Sequence, residues 1–231
     1  MPIHRRRLLQ KSAALACTLF AGGTKSEAAP SSYCSPDNPL HALTEGNQRF
    51  QKAWQAALRD PNNNLGQITH NQRCFNTPSR LNEAQKPWAT VLTCADSRVS
   101  PSWIFDTTPG ELFVIRSAGN TAFTEALASI EYSVSELNTS LVMVMGHTGC
   151  GAVQAATSDN PLTPSLAQLV QPIREQIGDI TDLELAVRRN ACGAAASLLD
   201  RSELLRKAST SGAMKLVVSC FDLTSGAVTL I

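Results

Sequence analysis

The 231-residue sequence has no long apolar run, no excess of either charge, no surplus of glycine or proline and no internal repeat. Each absence removes a class of protein. A bilayer-spanning helix needs about 20 consecutive apolar residues, and none is present. With 13 glycines, 12 prolines, 43% hydrophobic and 17% charged residues, the composition is neither fibrous nor disordered, and the chain is long enough to bury a sizeable core. The formal charge is +1 and the basic residues of the main body are scattered, so no nucleic-acid footprint is expected. GxSxG, a Walker lysine and GxGxxG are all missing, which leaves serine hydrolase and nucleotide-binding readings without support.

The small total charge hides an asymmetry: residues 1–28 carry +4 and the remainder −3. His4 to Gln10 reads HRRRLLQ, and thirteen uncharged, weakly apolar residues follow, Ser12 to Thr24. A basic start, a short apolar stretch and a small-residue exit site describe an export signal. Arg5-Arg6 followed at one residue's remove by Leu8-Leu9 resembles the twin-arginine signal. Cleavage is expected near Ala28, with a periplasmic location and one domain over 29–231.

In that domain, Tyr33 to Pro39 reads as a linker, and Leu40, Leu43, Phe50, Trp54 and Leu58 recur at roughly helical spacing in an outlying helix. From Trp88 onward, short apolar runs at Val91–Thr93, Leu112–Ile115, Leu141–Met145 and Leu216–Ser219 fit buried strands. Helical patterns lie between them, over Thr121–Leu137 and Leu183–Lys207. This alternation predicts an α/β fold with a mainly parallel sheet flanked by helices. A last strand, Ala227–Ile231, follows a Thr224-Ser225-Gly226 turn and is expected to pair antiparallel at an edge.

Active sites of parallel sheets lie at the carboxyl ends of the strands. Two strand-to-loop junctions there carry chemistry: Thr93-Cys94-Ala95-Asp96-Ser97-Arg98 and Gly146-His147-Thr148-Gly149-Cys150-Gly151. Cys94, His147 and Cys150 form a Cys₂His set. Three protein ligands leave the fourth tetrahedral position of a zinc ion open, the arrangement of a catalytic centre. Taken singly, His147 reads as a core histidine, Arg98 with Asp96 as a structural ion pair, and Cys94 with Cys150 as a disulfide after export. Of the remaining cysteines, Cys192 and Cys220 are expected in the interior. Cys34 and Cys74 lie in polar segments that export would allow to pair. His41 and His70 read as surface or capping residues.

CADSRVSP at Cys94–Pro101 together with GHTGCGAV at Gly146–Val153 resembles the signature pair of the β-class carbonic anhydrases. The resemblance extends through GNQRF at Gly46–Phe50, PGELFVIRSAGN at Pro109–Asn120, SIEYSV at Ser129–Val134 and RRNAC at Arg188–Cys192. It implies one Zn²⁺ per chain on Cys94, His147 and Cys150, a catalytic dyad of Asp96 and Arg98, and a carbon dioxide pocket lined by Gln85, Phe113, Tyr132 and Gly151. It also implies homodimers or tetramers, with the pocket at the subunit junction. The implied activity is reversible hydration of carbon dioxide to bicarbonate; alternatives on the same fold are a zinc hydrolase of carbon disulfide or a non-catalytic zinc-binding paralogue.

Two departures from the family pattern stand out. Ser117 follows Arg116 where the family commonly has Asn. Val91 stands where the bicarbonate-inhibited branch carries a tryptophan. Two thiolates cancel the charge of Zn²⁺, so water on this centre is expected to ionise less readily than on a three-histidine site. Asp96 could coordinate the metal itself in a closed, resting form or accept a hydrogen bond from the zinc hydroxide, with Arg98 as the switch that holds it as an anion away from the metal; Phe113 and Ala118 are expected to suit an apolar substrate, and Gly149 and Gly151 to let the backbone pass close to the metal.

Overall fold

The computed structural model describes residues 35–60 and 76–231. The export-type segment, Cys34, His70 and Cys74 fall outside the described residues.

Helix α1 (Pro39–Arg59) starts where Asn38 accepts from the His41 amide and Pro39 presets the first turn. It stops at Asp60, whose extended backbone suits a residue preceding proline. Leu43, Gly46, Asn47 and Phe50 form its buried stripe, while the expected Leu58 lies 61% exposed beyond it. A short α2 (Pro78–Glu83) leads to β1 (Ala89–Cys94). Then come α3 (Pro101–Ile104), β2 (Leu112–Ser117), a 3-10 turn (Ala118–Asn120) and α4 (Thr124–Ser135). The second half runs β3 (Leu141–His147), α5 (Gly151–Ala156), α6 (Pro164–Ile177), α7 (Leu183–Arg201), α8 (Glu203–Thr210), β4 (Lys215–Phe221) and β5 (Val228–Leu230).

The five strands lie in the order β2-β1-β3-β4-β5, the first four parallel and β5 antiparallel to β4 at the edge, as expected. Every residue of β1 and β3 is buried, because helices cover both faces. Alternate residues serve opposite layers. Val91, Met143, Met145 and Val217 pack with Leu43 and Phe50 of α1 and with Phe105. Leu92, Val142 and Val144 pack with Ala126 and Ile130 of α4 and with Ala191, Ala194 and Leu198 of α7.

The helical pattern over Leu183–Lys207 proves to be two helices. Ser202 ends α7 and caps α8, its Oγ accepting from the Leu205 amide and donating to Glu131. Helix α6 has no counterpart in the sequence reading. Pro172 looks like a breaker but sits on its exposed side, and Val170, Ile173 and Ile177 carry the buried stripe. Tyr132, on the apolar α4 pattern, is 46% exposed and so is no core residue.

Candidate metal centre

The strand order reverses direction between β1 and β3, and the crevice beyond the carboxyl ends at such a switch point is where open α/β sheets bind ligands. Cys94 is the last residue of β1 and His147 the last of β3. Cys150, three residues on, is the residue from which α5 starts. Their ligand atoms all lie within 4.8 Å of one another, and all three side chains are buried.

Several observations test whether a metal fits. His147 Nδ1 lies 3.0 Å from the Thr148 carbonyl, which can only accept, so Nδ1 carries the proton and Nε2 presents a bare lone pair. That Nε2 is buried and has no hydrogen-bond partner. The two sulfurs are 3.9 Å apart, too far for a disulfide but close to the roughly 3.8 Å that two sulfurs about 2.3 Å from one tetrahedral zinc must keep. Cys94 Sγ accepts from the amides of Asp96 (3.4 Å) and Gly119 (3.3 Å). The hydrogen bond shared with Cys150 lowers the Cys94 thiol below its ordinary value, and the same bond, with burial, holds Cys150 protonated beside it. A soft divalent cation displaces that remaining proton. The donor set, its spacing and its orphaned nitrogen therefore fit zinc, and the disulfide reading fails.

Asp96 follows Cys94 by two residues and is forked by Arg98. Arg98 Nε and the Arg98 amide donate to Oδ1 at 2.9 Å each, and Nη2 donates to Oδ2 at 2.7 Å. The guanidinium holds the Asp96 carboxyl well below the usual carboxylate range. Oδ2 lies 3.9 Å from His147 Nε2, beside the place where the metal's ligands converge. Arg98 Nη2 also reaches the Gly149 carbonyl (3.4 Å), and the Gly149 amide donates to Glu184 Oε1 (3.3 Å).

Gly149 has φ +61°, a left-handed conformation that explains the glycine, while a Cβ on Gly149 or Gly151 would meet no atom of this chain within 4 Å. Gly151 lies next to Cys150, at the centre. Gln85, Phe113 and Tyr132 do not. Phe113 pairs with Thr90 whereas Ser117 pairs with Cys94, a separation of four residues or about 13 Å along the strands. Tyr132 stacks near Phe113, ring centroids 6.2 Å apart, and the exposed Gln85 precedes β1. Cys220 is buried as expected, whereas Cys192 is only half-buried and His41 is exposed.

Four contributors were missed from sequence. Arg116 donates to the carbonyls of Cys94 and Asp96, and Asn190 Nδ2 donates to the Gly119 carbonyl. Glu184 meets the Gly149 amide, and Thr148 both orients His147 and accepts from the Leu223 amide through its Oγ1. All four act through main-chain groups, so side-chain pattern carried little trace of them; only Asn190, a buried amide on an alanine-rich helix, stood out of place.

An open Cys₂His centre with a guanidinium-forked carboxylate, set at the switch point of a parallel sheet, defines a metal-dependent α/β enzyme. Residues 89–228 match the family model described as carbonic anhydrase. The chain is 31% identical over 201 residues to carbonic anhydrase 2 of Mycobacterium tuberculosis, covering 82% of this chain and 89% of that protein. It is 32% identical over 189 residues to the carbonic anhydrase of Mycolicibacterium smegmatis, covering 77% and 91%. The solved β-carbonic anhydrase CcaA superposes with a TM-score of 0.57 at 25% identity, over 83% of this chain and 86% of that one. A tetrameric β-carbonic anhydrase of Sordaria macrospora shares the fold at a TM-score of 0.59 and 24% identity, over 83% and 95%. The chain belongs to the β-class carbonic anhydrase family. Its cofactor is zinc and its reaction the interconversion of carbon dioxide and bicarbonate.

Proposed function

We propose that Asp96 and Arg98 are the catalytic pair of this carbonic anhydrase, acting at a centre held by Cys94, His147 and Cys150. Zinc, when bound, supplies the nucleophile by lowering the pKa of water toward neutrality. Asp96 is an acceptor only, and its Oδ2 would accept a hydrogen bond from the attacking oxygen and so aim that oxygen's lone pair at the substrate carbon. Arg98 keeps that carboxylate ionised and turned from the metal, leaving the fourth position free. The observation that carries this reading is the three-bond fork of Arg98 on Asp96 beside the orphaned His147 Nε2. Stopped-flow hydration assays with zinc determination on the same samples test it: Asp96→Asn and Arg98→Ala keep zinc and lose about 100-fold or more in rate, the scale of general acid–base assistance. A wild-type rate in either variant removes the pair from catalysis.

The apolar pocket belongs to the same proposal. Phe113 and Tyr132 lie too far along the sheet to meet carbon dioxide at their own chain's centre, and the edge strand β2 exposes Val114 (37%) while α4 exposes Tyr132 (46%). Both features suit a homo-oligomer in which Gln85, Phe113 and Tyr132 of one subunit close the centre of its neighbour, where Gly151 supplies an amide. No described helix is long and apolar enough to cross a membrane.

Export to the periplasm completes the proposal, and its support is the Arg5-Arg6 segment of the sequence. A twin-arginine route carries proteins already folded, so both zinc thiolates would cross coordinated and shielded from an oxidising compartment. Replacing Arg5 and Arg6 by lysine should strand active, zinc-loaded enzyme in the cytoplasm, and cell fractionation with the hydration assay reads the outcome. Unchanged periplasmic activity would remove the address.

A further inference from the structure

Arg116 is an exposed side chain at the end of an edge strand, yet its guanidinium is turned onto the metal loop. Its Nε donates to the Cys94 carbonyl at 3.1 Å and its Nη2 to the Asp96 carbonyl at 2.7 Å. These carbonyls bracket the Cys94-Ala95-Asp96 segment, which joins a metal ligand to the carboxylate of the proposed pair. Between them, the Ala95 amide donates to the Ser117 carbonyl (3.0 Å), extending the β1–β2 ladder one step past the strand. The Asp96 carbonyl also accepts from the Val99 amide (2.9 Å), closing the turn that brings Arg98 round. The main chain of Asp96 is thus fixed from β2, while its carboxylate is fixed by Arg98.

We propose that Arg116 is a positioning residue for the hydration reaction, setting the orientation of Asp96 by clamping the two carbonyls on either side of Ala95; this rests on the reading of Asp96 and Arg98 as the catalytic pair. The chemistry favours arginine over any other donor at this position. Two carbonyls two residues apart diverge, and the planar guanidinium presents donors in a fixed fork that reaches both, whereas a lysine ammonium is a single point. Arg116 touches neither the Asp96 carboxylate nor a metal-ligand atom, so it acts on the reaction through the backbone. Without it, rotation about the Asp96 backbone moves the carboxylate by an ångström or so, and a misplacement of that size costs on the order of 100-fold in rate. Zinc binding is spared, because Cys94 Sγ keeps its Gly119 amide and the other two ligands are held by the end of β3 and the start of α5.

The test compares Arg116→Ala and Arg116→Lys with the wild type, and Arg98→Ala with the Arg98→Ala/Arg116→Ala double variant, for zinc content, assembly mass, kcat and KM. Arg116→Ala should hold one zinc per chain in the wild-type assembly, lose about 10- to 100-fold in kcat and keep KM within about twofold. Lysine should not restore the rate. In the Arg98→Ala background, removing Arg116 should cost less than about twofold more, since both residues act on one carboxylate. A wild-type kcat in Arg116→Ala, rescue by lysine, loss of zinc or assembly, or a full multiplicative loss in the double variant each overturns the proposal. Undiminished activity in Arg98→Ala would instead overturn the catalytic pair itself, which separates the two failures.

Discussion

His147 sits wholly buried with one ring nitrogen satisfied by a neighbouring carbonyl and the other facing no donor, a state that costs free energy unless a Lewis acid occupies the second lone pair. His147→Ala and Cys94→Ser should therefore lose both metal and activity, and zinc analysis of the purified variants checks this. Full metal retention in both would show that the centre is held by other atoms. Cys94, Asp96, Arg98, His147 and Cys150 were legible in the sequence because ligands and acid crowd into two short segments, each following an apolar run. Arg116 and Glu184 were not, because each works through a peptide group that any residue type supplies. The placement of Phe113 and Tyr132 was also beyond sequence reasoning, since it depends on strand register. In the structure the Asp96 carboxylate is paired with Arg98.

At the scale of elements, the strands were the most legible part, since short apolar and β-branched runs with no polar face fit little besides strands covered on both sides. Helix boundaries were harder. Ser202 splits one apolar periodicity into two helices with a single cap, and Pro172 masks a helix that tolerates it on its outer side. The docking of α1 shows how one position decides an element. A Cβ on Gly46 would fall on the Phe105 carbonyl oxygen, a backbone atom that cannot rotate away. Gly46→Ala should destabilise the protein by about 1–3 kcal/mol or more despite raising helix propensity, with urea unfolding as the measurement. An unchanged or raised midpoint would show that α1 shifts freely over α3. Nothing in the composition of α1 reveals this, because an interior helical glycine ordinarily looks like a weakness.

For the whole molecule, the metal centre lies at the carboxyl end of the sheet and Phe113 four residues back along β2, so the proposed shared site makes activity depend on assembly. Mixing a Cys94→Ser chain, whose Phe113 and Tyr132 are intact, with a Tyr132→Ala chain, whose metal ligands are intact, should form mixed oligomers containing complete sites. Subunit exchange should raise the hydration rate above that of either variant alone, and a rate equal to the average of the two would place Tyr132 outside any shared site. A second whole-molecule feature has a bearing on synthesis. Asn47 in α1 donates to the carbonyls of Ile104 (3.2 Å) and Gly226 (3.0 Å) and accepts from the Val228 amide (2.8 Å), so a residue in the first described helix is bonded to the last hairpin. Some 180 residues separate these partners. At translation speeds of about 5–20 residues per second, α1 waits roughly 10–40 s on the ribosome before its final partners exist. Over that interval α1 can pack on Phe105 and the earlier strands but lacks its Asn47 bonds, and folding of the domain is completed only after the hairpin has been made.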